Sequence, residues 1–292
     1  MATRTAAVGI PTRTATRRQD RPSGNQFAIH LILAVFVVFS FVPLILTVFM
    51  SFRSYGQILV KFWSLPSPWL WQNYVTAWNG VGINIVDSLG YCLASTIFTM
   101  ALAAISGYVF GRHKFPGRDT LFLVILALIM IPGILTLIPT YVLVTDMRLV
   151  NTPLALILPW TSGGQVLGIF LVRSYIAGVP EEIFESARVE GAREWDVFRY
   201  IGIPMSWPML MTVGVLQMIG TYNDYIWPSL VINTSRLQPV ALALWKYTSS
   251  YTISQMGPEF AAYVISAVPL IALMAFGMRY FIQGATSGAI KL

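Results

Sequence analysis

The sequence has little charge and almost no cysteine or histidine. Only 11% of its 292 residues are Asp, Glu, Lys or Arg, whereas soluble domains carry roughly a quarter. The single cysteine, Cys92, has no partner for a disulfide within the chain, and its apolar surroundings suit a thiol that packs as a small hydrophobe. The two histidines, His30 and His113, have no partner at metal-ligand spacing. These absences argue against a soluble domain, a disulfide scaffold and a metal site.

Motifs of catalysis are missing as well. The sequence contains no Gly-x-x-x-x-Gly-Lys-Ser/Thr loop, which ATPases of that class use to hold the phosphates of ATP, and no His-Glu-x-x-His pair. It also lacks a Gly-x-Ser-x-Gly turn, which carries the nucleophile of many hydrolases. We therefore expect a protein that is not an enzyme and that binds no cofactor itself.

Apolar residues, in contrast, make up 56% of the chain and fall in long runs. A bilayer core about 30 Å thick needs ~20 apolar residues in a helix. The first run, 27–50, has no charge and exceeds the ~7–15 apolar residues of a secretory signal, so we expect a retained helix. The six candidate membrane helices are 27–50, 88–110, 120–144, 154–176, 205–232 and 261–282. The sequence predicts an all-α integral membrane protein with six transmembrane helices.

Basic residues are distributed unequally between the two sides of such a protein. Of the 19 Lys and Arg residues, the outer loops hold only five, namely Arg53, Lys61, Arg148, Arg236 and Lys246. Since cytoplasmic loops carry the excess of Lys and Arg, both termini are predicted to be cytoplasmic. This asymmetry also accounts for the net charge of +7 without a nucleic-acid partner.

The chain then divides into three parts. Residues 1–26 are basic and poor in apolar residues, so they are predicted to be a disordered cytoplasmic N-terminus. Residues 27–283 form a single six-helix membrane domain, and 284–292 a cytoplasmic tail. The outer loop 52–87 carries four tryptophans, which suit either an interfacial belt or a docking surface for an external partner.

Several prolines and glycines lie within the candidate membrane helices. Pro132 and Pro139 lie in the third candidate helix and Pro159 in the fourth; in membrane helices such residues mark kinks, often beside a cavity. The glycine pairs at 107–111 and 164–168 match the small-xxx-small pattern of closely packed helices.

The segment 178–204, between the fourth and fifth candidate helices, is amphipathic and lies on the predicted inner face. Pro180 suits the first position of a short helix, with Glu181 and Glu182 in its first turn, where the helix dipole favours anions. Gly191 can take the left-handed conformation that ends a helix. Because four glutamates oppose one arginine here, the helix fits a groove on a soluble partner better than an anionic membrane surface.

Apolar residues along the same segment indicate which sides of its short helices are buried. Ile183, Phe184 and Ala187 fall on one stripe of the first short helix. A second short helix is predicted over 193–200, where it would bury Trp195 and Phe198, before Pro204 begins the fifth membrane helix.

This segment resembles the cytoplasmic signature of permease subunits in bacterial ABC importers, which is Glu-Ala-Ala, three residues, Gly, nine residues, then Ile-x-Leu-Pro. Here Glu185-Ser186-Ala187 is followed at the same spacings by Gly191 and by Ile201-Gly202-Ile203-Pro204. Ser186 and Ile203 depart from the signature by small changes of side chain.

Further segments are similar to the carbohydrate-uptake branch of this family, of the maltose and oligosaccharide type. They are Gln72-Asn73-Tyr74, Phe115-Pro116-Gly117-Arg118, Asn151-Thr152 with 154–159, Tyr222-Asn223-Asp224-Tyr225-Ile226-Trp227-Pro228, and the tail 284–292. The resemblance extends over almost everything after residue 26 and implies the type I permease fold of ABC importers.

The resemblance also implies partners and roles. The partners are a second permease subunit, two ATPase subunits that bind ATP and Mg²⁺, and an external sugar-binding protein. The residues expected to dock the ATPase are Glu181, Glu182, Phe184, Glu185, Ser186, Ala187, Glu190 and Gly191, with Ile201, Ile203 and Pro204 as structural parts of the motif. The bacterial inner membrane is the implied location.

Two points stay open in the sequence. Tyr222, Asn223 and Asp224 are candidates for a sugar path, but Asp224 also suits an interfacial acid or a helix-packing hydrogen bond. An ion-gradient-driven secondary transporter is the alternative function, and it would need ionisable residues in mid-membrane. A membrane enzyme would need paired acids or a nucleophile with a base.

Overall fold

Helices account for most of residues 24–250 and 255–287, which are the residues that the computed structural model describes, and no β-strand occurs among them. The helices of this part of the chain are α1 Gly24–Ser51, α2 Tyr55–Val60, α3 Gln72–Arg112, α4 Arg118–Ile129, α5 Gly133–Asp146, α6 Leu154–Ile176, α7 Glu182–Val189, α8 Glu194–Val197, α9 Ile203–Tyr222, α10 Ile226–Val231, α11 Val240–Ser250 and α12 Met256–Ser287.

Five stretches of these described residues are long and apolar enough to cross a membrane, and a sixth results if the bent pair α4 and α5 counts as one span. The six candidate helices of the sequence correspond to these stretches. The all-α membrane architecture predicted from the sequence is therefore confirmed.

Several boundaries differ from the sequence-based prediction. Helix α3 begins at Gln72, well inside the predicted outer loop, and its 41 residues make a helix about 60 Å long, twice the thickness of a bilayer core. Helix α12 runs to Ser287, so the start of the predicted tail is helical. Of the segment predicted to be disordered, residues 24–26 belong to α1, and the rest lies outside the described residues.

Two predicted membrane helices are broken. The third is divided into α4 and α5, which meet at an angle of 99°, because Pro132 has no N–H for the helix ladder and restricts the residue before it. The fifth ends at Tyr222, and a separate helix α10 follows. Pro228 explains this break, since its ring would clash with the carbonyl of Asp224 in a continuous helix.

The chain divides into one unit up to Leu46 and a second from Thr47 onward. In the second unit α3 packs most extensively against α6, and α9 and α12 complete the bundle. At Gly107 of α3 an added Cβ would come within 2.6 Å of Val172 in α6. The close helix packing predicted from the glycine spacings is therefore present.

Buried side chains form two clusters in this bundle. One contains Ala77, Val81, Trp160, Tyr222 and Trp227. The other gathers around Tyr108 and Val172, where α3 and α6 end, and includes Phe184 from α7 and Phe198. The second cluster therefore joins the short helices between the membrane spans to the ends of the long ones.

Candidate functional site

The first candidate site is helix α7 with the turn that ends it. Gly191 has φ +89°; its N–H donates to Arg188 O and the N–H of Ala192 donates to Ala187 O, both at 3.0 Å. These two bonds form a Schellman motif, which satisfies carbonyls at the end of a helix. An added Cβ at Gly191 would meet nothing within 4 Å. Glycine is thus favoured here by the left-handed backbone conformation and not by a lack of space for a side chain.

Phe184 holds α7 on the bundle. Its side chain is fully buried within the chain, where its ring lies 6.3 Å from that of Tyr108 and under the guanidinium of Arg112, whose Cζ is 4.0 Å from the ring centroid. Full burial of one such side chain is worth about 1.5–3 kcal/mol. Phe184, which we predicted to contact the ATPase, therefore anchors the helix internally.

The opposite face of α7 is exposed. It presents aliphatic and acidic side chains together: Ile183, Val189, Glu182, Glu185, Ser186 and Glu190. Val189 is 88% exposed, and we did not predict it to be a docking residue. Its position off the apolar stripe of a short helix could have indicated an exposed aliphatic side chain. Ala187 is half-buried. The exposed face combines apolar anchors with a charged rim, which suits insertion into a protein groove.

The carboxylate of Glu181 forms ion pairs with two arginines of the same chain. It accepts hydrogen bonds from Arg112 Nη1 at 2.6 Å and from Arg188 Nη1 at 3.3 Å. Burial opposes ionisation of Glu181, but these hydrogen bonds and charges outweigh it and lower the pKa of the carboxyl. On Arg188, the hydrogen bonds to Glu194 and then to Glu181 raise the pKa of the guanidinium. Both groups are therefore charged at neutral pH.

The second short helix differs from its prediction. Helix α8 ends at Val197, and a π-helical turn, Phe198–Gly202, joins it directly to α9. Phe198 is buried as predicted, but Trp195 is 62% exposed, so the prediction that Trp195 is buried was wrong. Only one side of so short a helix can face the bundle, and Val197 and Phe198 take that side.

The last part of the motif, from Ile201 to Pro204, lies against the bundle. Ile201 and Ile203 pack against the cluster around Tyr108 and Val172. Pro204 lies in the first turn of α9, directly after the π-helical turn Phe198–Gly202.

The second candidate site is a cavity of about 640 Å³ beside the helix breaks. Its walls come from α4, α5, α6 and the start of α10, and it is lined by apolar side chains with a few polar ones. The polar and aromatic lining residues are Thr136, Thr140, Ser162, Trp160, Trp227 and Asp224.

Of the three residues predicted for a sugar path, only Asp224 lines this cavity. Its Oδ2 accepts a hydrogen bond from Trp160 Nε1 at 2.7 Å, and its Oδ1 accepts one from the N–H of Trp227 at 3.3 Å. Tyr222 is buried, and its hydroxyl donates to Ser266 O at 2.9 Å, which is a contact between α9 and α12. Asn223 is exposed and donates to Ile219 O of its own helix at 2.8 Å.

Comparisons with known proteins agree with this geometry. The sequence profile of the family described as "Binding-protein-dependent transport system inner membrane component" matches residues 100–287. The chain is 29% identical to the probable ABC transporter permease protein YurM of Bacillus subtilis, over 94% of this chain and 92% of YurM. It is 28% identical to the diacetylchitobiose uptake system permease protein NgcG of Streptomyces coelicolor, over 94% of this chain and 92% of NgcG.

The fold is also found in a solved structure. A chain of a bacterial ABC transporter involved in the import of the acidic polysaccharide alginate superposes with a TM-score of 0.73 and 18% identity, over 87% of this chain and 95% of that chain. The type I permease fold expected from the sequence is thereby confirmed. The chain belongs to the family of inner membrane components of binding-protein-dependent transport systems.

Proposed function

We propose that this chain is a permease subunit of an ATP-driven ABC importer and moves a sugar or oligosaccharide delivered by an external binding protein. The observation that carries the proposal is α7, an acidic helix held by Phe184 on the end of the membrane bundle, with its aliphatic and acidic face exposed. Relatives named as permeases for diacetylchitobiose and for arabino-oligosaccharides support the class of substrate.

In this proposal ATP is hydrolysed by partner subunits and not by this chain. Two ATPase subunits bind ATP and Mg²⁺ and receive the exposed face of α7, and a second permease subunit completes the pathway. The chain lies in the bacterial inner membrane with both termini in the cytoplasm, as the distribution of Lys and Arg indicates. Closure of the ATPase pair then rocks the membrane helices between inward-open and outward-open states.

Within the membrane domain we place the sugar path along the cavity beside Asp224. Indole rings offer flat apolar faces for sugar rings, and a carboxylate accepts hydrogen bonds from hydroxyls. Trp160, Trp227 and Asp224 supply both kinds of group at one wall of the cavity. Tyr222 and Asn223 adjoin Asp224 in the chain but do not line the cavity.

An ion-gradient-driven transporter is the less favoured alternative. It would need an ionisable group in the membrane domain that is free to exchange a cation or proton. Asp224 is the acid nearest to that description, and among the described residues no second acidic side chain lines the cavity beside it.

The test is purification of the tagged chain from its own cells in mild detergent. We expect an ATPase subunit and a second permease to co-purify, and we expect ATP hydrolysis in liposomes to rise with the binding protein and one member of a panel that includes diacetylchitobiose and arabino-oligosaccharides. Asp224→Asn should raise the sugar concentration needed for half-maximal transport. Uptake by the chain alone, driven by an ion gradient without ATP, would refute the proposal.

A further inference from the structure

Arg112, the last residue of α3, joins three helices through one side chain. The side chain is only 4% exposed. Its Nη1 donates to Glu181 Oε2 at 2.6 Å, immediately before α7. Its Nη2 donates to the carbonyl of Ile176, the last residue of α6, and to that of Val179 in the turn between α6 and α7. The guanidinium also covers the ring of Phe184.

A series of polar side-chain contacts continues from this residue along α7. Glu181 also accepts from Arg188 at 3.3 Å, and Arg188 Nε donates to Glu194 at 2.8 Å. Glu194 lies 3.7 Å from His113, the residue after Arg112. Both ends of α7 are thus connected to the end of α3, although the exposed pairs in this chain contribute little individually.

The contacts of Arg112 differ from the exposed pairs because its side chain is buried. A guanidinium presents N–H groups in a fixed planar fork, so Arg112 can satisfy a carboxylate and two carbonyls at once. Phe184 and the half-buried Ala187 attach the apolar side of α7 to the bundle. Arg112 adds a polar attachment at the start of α7 through Glu181, so a movement of α7 pulls on the ends of α3 and α6 or breaks this contact.

Helix α6 makes this connection relevant to transport. Its far half supplies Pro159, Trp160, Ser162 and Gly163 to the cavity, while its near end accepts the hydrogen bond of Arg112 at Ile176. A displacement applied to α7 therefore has a direct mechanical route through Arg112 to the helix that lines the cavity.

We infer that Arg112 is a positioning residue for energy coupling: it directs the movement of α7 into α3 and α6. The inference rests on the proposed function, because it presumes an ATPase that moves α7. Arg112 is itself nearly inaccessible to that partner, so its effect is on transport per ATP and not on docking.

The experiment compares Arg112→Lys and Glu181→Gln with wild type in the purified importer, measuring captured ATPase, ATP hydrolysis and sugar transported in liposomes. Lysine keeps the charge but cannot engage three acceptors in the fork geometry. We expect Arg112→Lys to capture the ATPase as wild type does, because the side chain of Arg112 is buried. In both variants we expect transport per ATP hydrolysed by the captured ATPase to fall by about 2- to 30-fold, the range that corresponds to coupling changes caused by residues outside both binding sites. In the double variant the fall should be smaller than the two single falls combined, since both changes remove the same contact between Arg112 and Glu181.

Arg173→Lys is the matched control. Arg173 lies near the same end of α6, covers the ring of Phe122 at 3.7 Å and pairs with Asp119 at 3.8 Å, and it has no hydrogen bond or ion pair with α7 among the described residues. Its transport per ATP should equal that of wild type.

Unchanged transport per ATP in Arg112→Lys and Glu181→Gln would overturn the inference, and so would an equal fall in Arg173→Lys. If Arg112→Lys does not assemble, Glu181→Gln decides by the same ratio, because Glu181 is half exposed and its amide is nearly isosteric. If the wild-type chain captures no ATPase, the proposed function fails instead, which is a distinguishable result.

Discussion

At the scale of single residues, Gly191 shows that a motif position can be set by backbone conformation. The left-handed φ lets the Schellman motif close α7, and nothing surrounds the position within the chain. A residue with a Cβ pays roughly 1–2 kcal/mol for that conformation, whereas Asn tolerates it better than most. The space around Gly191 is open to whatever docks on α7.

We therefore predict that Gly191→Val uncouples ATP hydrolysis from sugar transport while membrane insertion stays intact. Gly191→Asn serves as the comparison: a mild effect identifies backbone strain as the cause, and an equally severe one identifies contact with the partner. Both rates are measured in liposomes that contain the assembled importer. Wild-type transport by Gly191→Val would contradict the assigned role.

At the scale of helices, the contact between α3 and α6 depends on small residues. A Cβ at Gly107 would lie 2.6 Å from both Cβ and Cγ1 of Val172, while one at Gly90, in the same helix, would meet nothing within 4 Å. Overpacking of such a contact costs about 1–3 kcal/mol. The two glycines thus provide a matched pair within one element.

Gly107→Ala should lower the midpoint of thermal unfolding in detergent, and Gly90→Ala should leave it unchanged or raise it slightly, because alanine favours a helix over glycine by about 1 kcal/mol. The unfolding of both variants is followed by the loss of helical circular dichroism. Equal midpoints for the two variants would show that α3 and α6 do not rely on this close approach.

Polar side chains explain why the start of α3 was not recognised in the sequence. Asn73 donates to Ser51 O and Arg53 O, both at 2.9 Å, and Asn84 donates to Ser235 O and Gln238 O at 2.9 and 2.8 Å. Such polar residues lower the mean hydropathy of 72–87, which we therefore predicted to be a loop. In the fold these two side chains bind the backbone of segments that are distant in sequence, so the helix continues beyond the apolar run.

At the scale of the whole molecule, the predicted orientation places α7 inside the cell and the outer loop with Trp63 outside. Cys92 is fully buried, so a Cys92→Ser background allows single cysteines to report the topology. We expect Trp63→Cys, at a position 83% exposed, to react with a membrane-impermeant maleimide in intact cells. Glu190→Cys should react only after permeabilisation, and its labelling in intact cells would invert the topology.

The sequence alone was sufficient for the class of fold and for the position of α7 along the chain. Long apolar runs, and Gly191 at a fixed distance from Pro204, are local or compositional signals, so they can be read without knowing what packs against what. The family expected from the spacing of Glu185, Gly191 and Pro204 was confirmed by the match over 100–287.

Only the tertiary structure decided which way each side chain faces. Phe184 and Glu181 have residue types that suit a docking surface, yet one is buried and the other is bound to Arg112. Arg112 looked like one more basic residue at the inner face, and Asp224 like one acid at a helix end. Their roles depend on partners 69 and 64 residues away, and contacts of that separation are specified by helix packing, which no local pattern encodes.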